Sequence, residues 1–199
     1  MHGFIQSEND DHYTLTEMGE DASNITEIHA LIAIESLEKN NNYQELSITE
    51  LVGFLSIFSG IKVSEEYRSS IPNSKNANIK SIVKSNIELY EKYMELQHQN
   101  EVSIGEDYVD SLTFDLIDSM QEWCDLENEQ QCKYFIQTNL DSMEISIGEF
   151  NKGILKMSTI ARELSKVCDK ENKVGLLYKL SKIDGLILKF VATNQSIYV

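Results

Sequence analysis

The amino-acid sequence predicts an all-α protein folded as a helical bundle, and three observations support this prediction. The 199 residues include only nine glycines and one proline, too few for the many turns of a β-sandwich. Apolar residues recur at steps of three and four along several long segments, which is the spacing of one helix face. Three S-x-x-E capping boxes, at residues 47–50, 103–106 and 146–149, mark helix N-termini.

The N-terminal part of the chain has a mixed pattern. Residues 13–16 predict a short β segment that follows a polar loop at 7–12, and Met18-Gly19 predicts a turn. An apolar stripe then predicts a helix over residues 24–39, and three consecutive asparagines at 40–42 end it.

The rest of the chain reads as helices joined by short loops, apart from a polar surface loop at 64–77. Short connections predict that neighbouring helices are antiparallel. The predicted helices are one from Ser47 to Gly60, one over 76–99, one from Ser103 through Leu112 and Met120 to Trp123, one over 128–139, one from Ser146 to Cys168, and a last one from Val174 to Phe190 or Val191.

The charge of the chain is strongly negative but unevenly distributed. Its formal net charge is −16, which opposes binding to nucleic acid and to anionic lipid. Residues 101–149 hold thirteen acidic residues and one base, whereas residues 150–199 hold four acidic residues and nine bases. The basic last quarter is either a contact surface or a segment that packs against acidic parts of its own chain.

Cysteine usage and the N-terminal sequence indicate the compartment. Cys124, Cys132 and Cys168 are odd in number and lack zinc-site spacing, so we expect reduced thiols. The first residues lack the basic and apolar regions of a signal peptide, and the apolar run at 51–61 is too short to cross a bilayer. We therefore expect an intracellular protein, in the cytoplasm or the nucleus, that does not enter a membrane.

The common catalytic motifs are missing from the sequence. No glycine precedes a lysine, which excludes a P-loop, and H-E-x-x-H, C-x-x-C and G-x-S-x-G do not occur. The four histidines share no short ligand spacing, and His29 lies near an apolar stripe. We expect no catalytic residue, no metal site and no cofactor in this chain.

Eight segments follow one another along nearly the whole chain: 15–19 (LTEMG), 25–28 (ITEI), 51–58 (LVGFLSIF), 107–111 (DYVDS), 122–124 (EWC), 148–164, 188–192 (LKFVA) and 196–199 (SIYV). The most specific part is the Tyr-Val-Asp-Ser sequence followed at helical distance by Glu-Trp-Cys. In this order the segments resemble the C-terminal helical domain (the DSH C-terminal domain) of the exosome-associated DExH-box RNA helicases of the superkiller and antiviral group.

The resemblance implies a division of the chain and a set of partners. Residues 1–23 resemble the end of a winged-helix domain, and residues 24–199 resemble the helical bundle. The family's ATPase lies in two upstream recA-like domains, so we expect a non-catalytic domain that guides RNA together with an ATPase motor. The implied partners are single-stranded RNA, bound weakly by the chain alone, the helicase ATPase core, and RNA-degradation machinery.

The resemblance also implies the site residues. One helix of the family's bundle acts as a ratchet against the RNA strand, and here it corresponds to residues 148–164. Its basic pair falls on Lys152 and Lys156, which are four residues apart and so share a helix face. An acidic contact of the family falls on or next to Ile61-Lys62, where this chain departs from the family by being apolar or basic. Lys62 is the third candidate RNA-binding residue. A second hypothesis remains open, namely a stand-alone acidic helical module that binds proteins and has no role with RNA.

Overall fold

A computed structural model describes residues 3–9, 12–72, 74–102 and 112–189. Within these residues the fold is a helical bundle with a small N-terminal hairpin, which confirms the predicted fold class. The strands are β1 (Ile5–Asn9) and β2 (His12–Leu15), and the helices are α1 (Glu17–Ala22), α2 (Ala30–Lys39), α3 (Ile48–Leu55), α4 (Ala77–Gln99), α5 (Ile117–Asp125), α6 (Glu129–Phe135), α7 (Ile147–Lys170) and α8 (Val174–Ile187).

The N-terminal hairpin is larger than the sequence predicts. Strand β1 pairs antiparallel with β2, so the prediction of a polar loop at 7–12 is wrong for residues 7–9 and for His12. The turn predicted at Met18-Gly19 is also wrong, because both residues lie in α1. The Thr16 hydroxyl caps α1 by accepting from the Gly19 N–H at 3.2 Å. A side chain at Gly19 would collide with the Phe4 carbonyl oxygen, so glycine permits the hairpin to pack on this helix.

Helix α2 begins six residues later than the predicted start at residue 24. The backbone N–H groups of Thr26 and Glu27 donate to the carboxylate of Glu163, at 3.1 and 3.2 Å, and not to a helical ladder. His29 then caps the helix, its Nδ1 accepting from the Ile32 N–H at 3.4 Å. A contact with a distant residue therefore overrides the apolar periodicity of this segment.

The centre of the bundle follows the sequence prediction closely. Both hydrogen bonds of the capping box at Ser47 and Glu50 are present, and Gly60 takes a left-handed φ of 71° just beyond the 3₁₀ turn Ser56–Phe58. The polar loop and the long helix α4 after it lie where predicted, with Asn76 as the cap of α4. Helix α3 is almost entirely buried, which places it at the centre of the core.

Helix α5 is shorter than predicted. The sequence predicts a helix from Ser103 to Trp123, but Leu112, Thr113 and Phe114 are not helical and α5 begins only at Ile117. The cause is again a distant contact, since the Thr113 N–H donates to the Ile57 carbonyl at 3.0 Å. The second capping box, Tyr108 and the end of the chain after Lys189 lie outside the described residues.

The C-terminal helices enclose an aromatic cluster. The predicted helix at 128–139 is present as α6, capped by Asn128 and continued by the π-turn Ile136–Leu140. Trp123 is fully buried, with the rings of Phe135 and Phe150 at centroid distances of 5.4 and 5.1 Å. The Trp123 Nε1–H donates to the Ile187 carbonyl at 3.0 Å, which ties α5 to the end of α8.

Candidate functional site

Helix α7 is the longest helix in the described part of the chain, and it carries two of the three candidate residues. Ser146 caps it by accepting from the Glu149 N–H at 3.2 Å, which is half of the predicted capping box. One side of the helix is in the core, as the apolar stripe predicts; its buried residues include Phe150, Ile154, Met157, Ala161, Leu164 and Cys168. Lys152 is exposed and Lys156 is half-buried. The core contacts hold this lysine pair on a rigid element.

The structure brings Lys156 close to Gly60 and Ile61, which are 96 and 95 residues earlier in the sequence. Gly153 packs directly against the side chain of Ile61, and a side chain at Gly153 would clash with its Cγ1 and Cδ1 atoms. A Cβ placed on Gly60 would lie 3.8 Å from Lys156 Nζ. Lys62 is exposed and immediately follows Ile61. The candidates Lys156 and Lys62 therefore belong to one neighbourhood, which the Gly153–Ile61 contact creates.

The exposed side of α7 extends the basic surface beyond the predicted pair. Leu155 is 45% exposed, and Arg162 and Lys166 are also exposed. These positions follow Lys152 at steps of three and four, so they form one line on the helix. We call the line formed by Lys152, Leu155, Thr159, Arg162 and Lys166 the basic strip. At 1.5 Å per residue it is about 21 Å long. The sequence analysis missed Lys166, although its helical spacing from Lys152 was a usable signal.

Several other bases of the last quarter hold the fold together. Lys170 Nζ lies 3.0 Å from a Glu20 carboxylate oxygen and 2.9 Å from one of the buried Asp21. These two carboxylates raise the pKa of Lys170. Arg162 of α7 pairs with Asp184 of α8 at 2.7 Å. The suggestion that the basic quarter packs against its own chain is therefore correct for part of it.

Two lysines of the last quarter bind backbone carbonyls instead of carboxylates. Lys179 Nζ donates to the carbonyls of Gln44 and Leu46, at 2.8 and 2.6 Å, in the left-handed turn after α2. Lys189 Nζ donates to three carbonyls at the end of α5, among them that of Trp123 at 3.0 Å. A cation at a helix C-terminus also interacts favourably with the helix dipole. The ammonium groups of Lys179 and Lys189 therefore stabilise the fold through these carbonyls.

In contrast, Lys152 and Lys156 make no ion pair with any residue that the structure describes. The nearest basic residues with a fixed partner lie further along the helix, at Arg162 and Lys170. The two lysines in the N-terminal half of α7 are thus among the bases of the last quarter that have no ion-pair partner in the described part of the chain.

Acidic residues of the middle of the chain are partly used in the fold. Asp118 accepts from the Ser74 hydroxyl and the Lys75 N–H, at 2.6 and 3.1 Å, and Asp115 accepts from the Ser69 N–H at 2.7 Å. These bonds attach the loop before α4 to the start of α5. Burial raises the pKa of Asp115. The negative charge of this region therefore has a structural role as well as an electrostatic one.

The described residues offer no cluster of three or more His, Cys, Asp or Glu side chains able to hold a metal ion. The interior void beside His29 and Tyr90 measures about 10 Å³, room for no more than one water molecule. Burial is the main cause that lowers the pKa of His29. Among the helices in the described ranges, none is both long and apolar enough to cross a membrane.

Comparison with known proteins gives no assignment. No protein-family model matches the chain, and a search of curated proteins finds no match either.

Proposed function

We propose that this chain is the non-catalytic, RNA-guiding C-terminal domain of a DExH-box RNA helicase, and that it acts with an ATPase motor to unwind RNA or feed it to degradation. The observation that carries the proposal is the uncompensated pair Lys152 and Lys156 on α7. The ordered resemblance of the sequence to this helicase family adds to it. The motor, single-stranded RNA and RNA-degradation machinery are the partners of this function.

The mechanical requirement of the function is a rigid surface along which a strand can move. Helix α7 meets it because its core side is buried and because Gly153 is held against Ile61 and Glu163 against Thr26. The basic strip offers the ammonium groups of Lys152 and Lys166 to the phosphates, and Lys156 follows Lys152 by one turn. Between them lie the exposed apolar side chain of Leu155 and Arg162, which is paired with Asp184. Such a surface does not read base identity, which suits a strand of any sequence.

The electrostatics of the chain set the expected strength of binding. Two lysines that neutralise two phosphates of a single strand contribute about −1.4 to the slope of log K against log salt concentration. This contribution weakens binding about sevenfold between about 50 and 200 mM salt. The net charge of −16 opposes it. We therefore expect weak RNA binding by the chain alone and stronger binding when a motor supplies the opposite wall of the channel.

The experiment compares single-stranded RNA binding and unwinding by the chain with and without a helicase motor. The double variant Lys152→Ala, Lys156→Ala is expected to lower RNA affinity and to flatten the salt slope. The matched control is Lys80→Ala, Lys84→Ala, because these lysines are also four residues apart, exposed and on a long helix. Equal affinity, salt slope and unwinding for both double variants would exclude the RNA-guiding role.

A second candidate function is a stand-alone acidic module that binds a basic protein partner. The observation that favours it is the exposed aromatic ring of Tyr134, 68% accessible on α6 within the acidic segment. A groove of about 710 Å³ lies beside this ring and is lined also by Glu122, Leu126 and Lys133. Binding of a basic protein that Tyr134→Ala weakens, together with RNA binding unaffected by the lysine variants, would favour this function.

A further inference from the structure

Helix α8 leaves an aromatic ring on the surface that the function proposed above does not use. Tyr178 is 60% exposed, and Val174, one turn earlier, is 70% exposed. The ammonium group of Lys182, one turn later, lies 5.2 Å from the centroid of the Tyr178 ring. An open ring with a cation beside it is a combination that nucleic-acid-binding proteins use to stack bases and hold phosphates.

The register of the two C-terminal helices places Tyr178 at the end of the basic strip. Asp184 accepts from the Ser158 hydroxyl at 2.6 Å and pairs with Arg162 at 2.7 Å. Because α7 and α8 are antiparallel, these two bonds put Tyr178 level with residues 164–168 of α7, the turn that contains Lys166. Packed helix axes are about 8–10 Å apart. Both side chains are exposed, so they share the outward surface of the helix pair.

The charges around Tyr178 favour a polyanion. Lys182 lies over its ring and Lys166 is at the same level on α7, and neither lysine makes an ion pair with a described residue. The carboxylate of Asp184 is already neutralised by Arg162. The other carboxylates of this region are Asp169, in the last turn of α7, and Glu171, the C-cap of that helix. The positive surface therefore continues from α7 onto α8.

We propose that Tyr178 is a stacking contact for a base of single-stranded RNA at the C-terminal end of the basic strip, with Lys182 beside the adjacent phosphate. This inference rests on the proposed RNA-guiding function. An acidic peptide could also meet a lysine-flanked ring. The observation that favours RNA is the continuity of the ring with the basic strip. A strand that follows the strip for its length of about 21 Å would next meet Tyr178.

The experiment measures the affinity of the full chain, at about 50 mM salt, for a fluorescent single-stranded RNA of about ten nucleotides and for an abasic strand of the same length. Tyr178→Ala is expected to weaken RNA binding at least about fivefold and to leave abasic binding unchanged, since an abasic strand has nothing to stack. Tyr178→Phe retains the ring and is expected to bind as the parent does. Tyr134→Ala is the matched control, an exposed tyrosine of the acidic segment.

The variants separate failure of this inference from failure of the proposed function. If Lys152→Ala, Lys156→Ala weakens RNA binding and Tyr178→Ala does not, the stacking contact is refuted while the guiding function stands. If neither variant changes binding, or no binding is detected, both are refuted. An equal loss on the abasic strand would also refute stacking. If a Glu-rich peptide binds saturably, and Tyr178→Ala abolishes that binding while leaving RNA binding unchanged, the ring belongs to a protein-docking surface instead.

Discussion

Replacing Gly153 by alanine tests the contact that positions the lysine pair. An alanine Cβ would clash with both Cγ1 and Cδ1 of Ile61, which is only 2% exposed. Inserting atoms into a packed core costs about 1–3 kcal/mol. Removing a glycine from a helix interior gains about 0.8–1.0 kcal/mol. The clash is the larger effect, so we expect Gly153→Ala to destabilise the protein by about 1 kcal/mol.

The same change should have the opposite sign once the clash is removed. Ile61→Ala deletes the two atoms that the new Cβ would meet, so Gly153→Ala made in that background is expected to stabilise by about 1 kcal/mol through helix propensity alone. The difference between the two backgrounds is a coupling energy of about 2 kcal/mol, within the range found for residues in contact.

Urea unfolding followed by fluorescence measures all four proteins of this cycle, because Trp123 is the only tryptophan and is fully buried. The linear extrapolation gives the free energy of unfolding for each protein. Stabilisation by Gly153→Ala in the parent protein, or equal effects in both backgrounds, would refute the packing of Gly153 on Ile61. It would also remove the reason for placing Lys156 beside Lys62.

Three further predictions concern the fold. Glu163→Ala removes the acceptor of three hydrogen bonds from Thr26 and Glu27, so we expect the free energy of unfolding in urea to fall by about 2 kcal/mol. An unchanged free energy of unfolding would contradict the anchoring of the segment before α2. Burial raises the pKa of Cys124 to about 12 and of Cys168 to about 11, so thiol labelling of the native protein should be slow, and rapid labelling with the fold intact would contradict their burial. The pKa of His29 is lowered on folding, so the stability that its neutral side chain contributes is complete above pH 6.5 and is lost as the pH falls below that value. The variant His29→Asn keeps a capping acceptor and should therefore lose less stability than the parent between pH 7.5 and 5.5. Parallel profiles of stability against pH would refute this prediction.

The sequence alone determined the elements whose signals are local. The capping side chain of Ser47 lies three residues from its partner, and the apolar stripe of α7 repeats over six turns. The helix stop at Gly60 and the start of α4 after Asn76 also depend on residues close by. Local signals of this kind are formed by neighbours in the chain, so the sequence contains them in full. The lysine pair of α7 was predictable for the same reason, since helical spacing fixes its common face.

Tertiary structure decided where distant groups replace local hydrogen bonds. Glu163 binds the N–H groups of residues 26 and 27 and delays α2, and Ile57 binds Thr113 and delays α5. Apolar periodicity continues through both segments, so the pattern predicts longer helices than the fold allows. An equally strong hydrogen bond to a remote partner satisfies the same backbone donor, and nothing in the local sequence records that partner.

The fate of the positive charge was likewise decided only by the fold. The sequence gives nine bases to the last quarter, and the structure directs Lys170, Lys179 and Lys189 to partners 60 to 150 residues away. Lys152 and Lys156 are left without such a partner among the described residues, and Gly153 sets Lys156 beside Gly60. Composition counts charges, but the packing of helices determines which carboxylates and carbonyls come within reach of each ammonium group. That is why the basic strip required the tertiary structure and the helix that carries it did not.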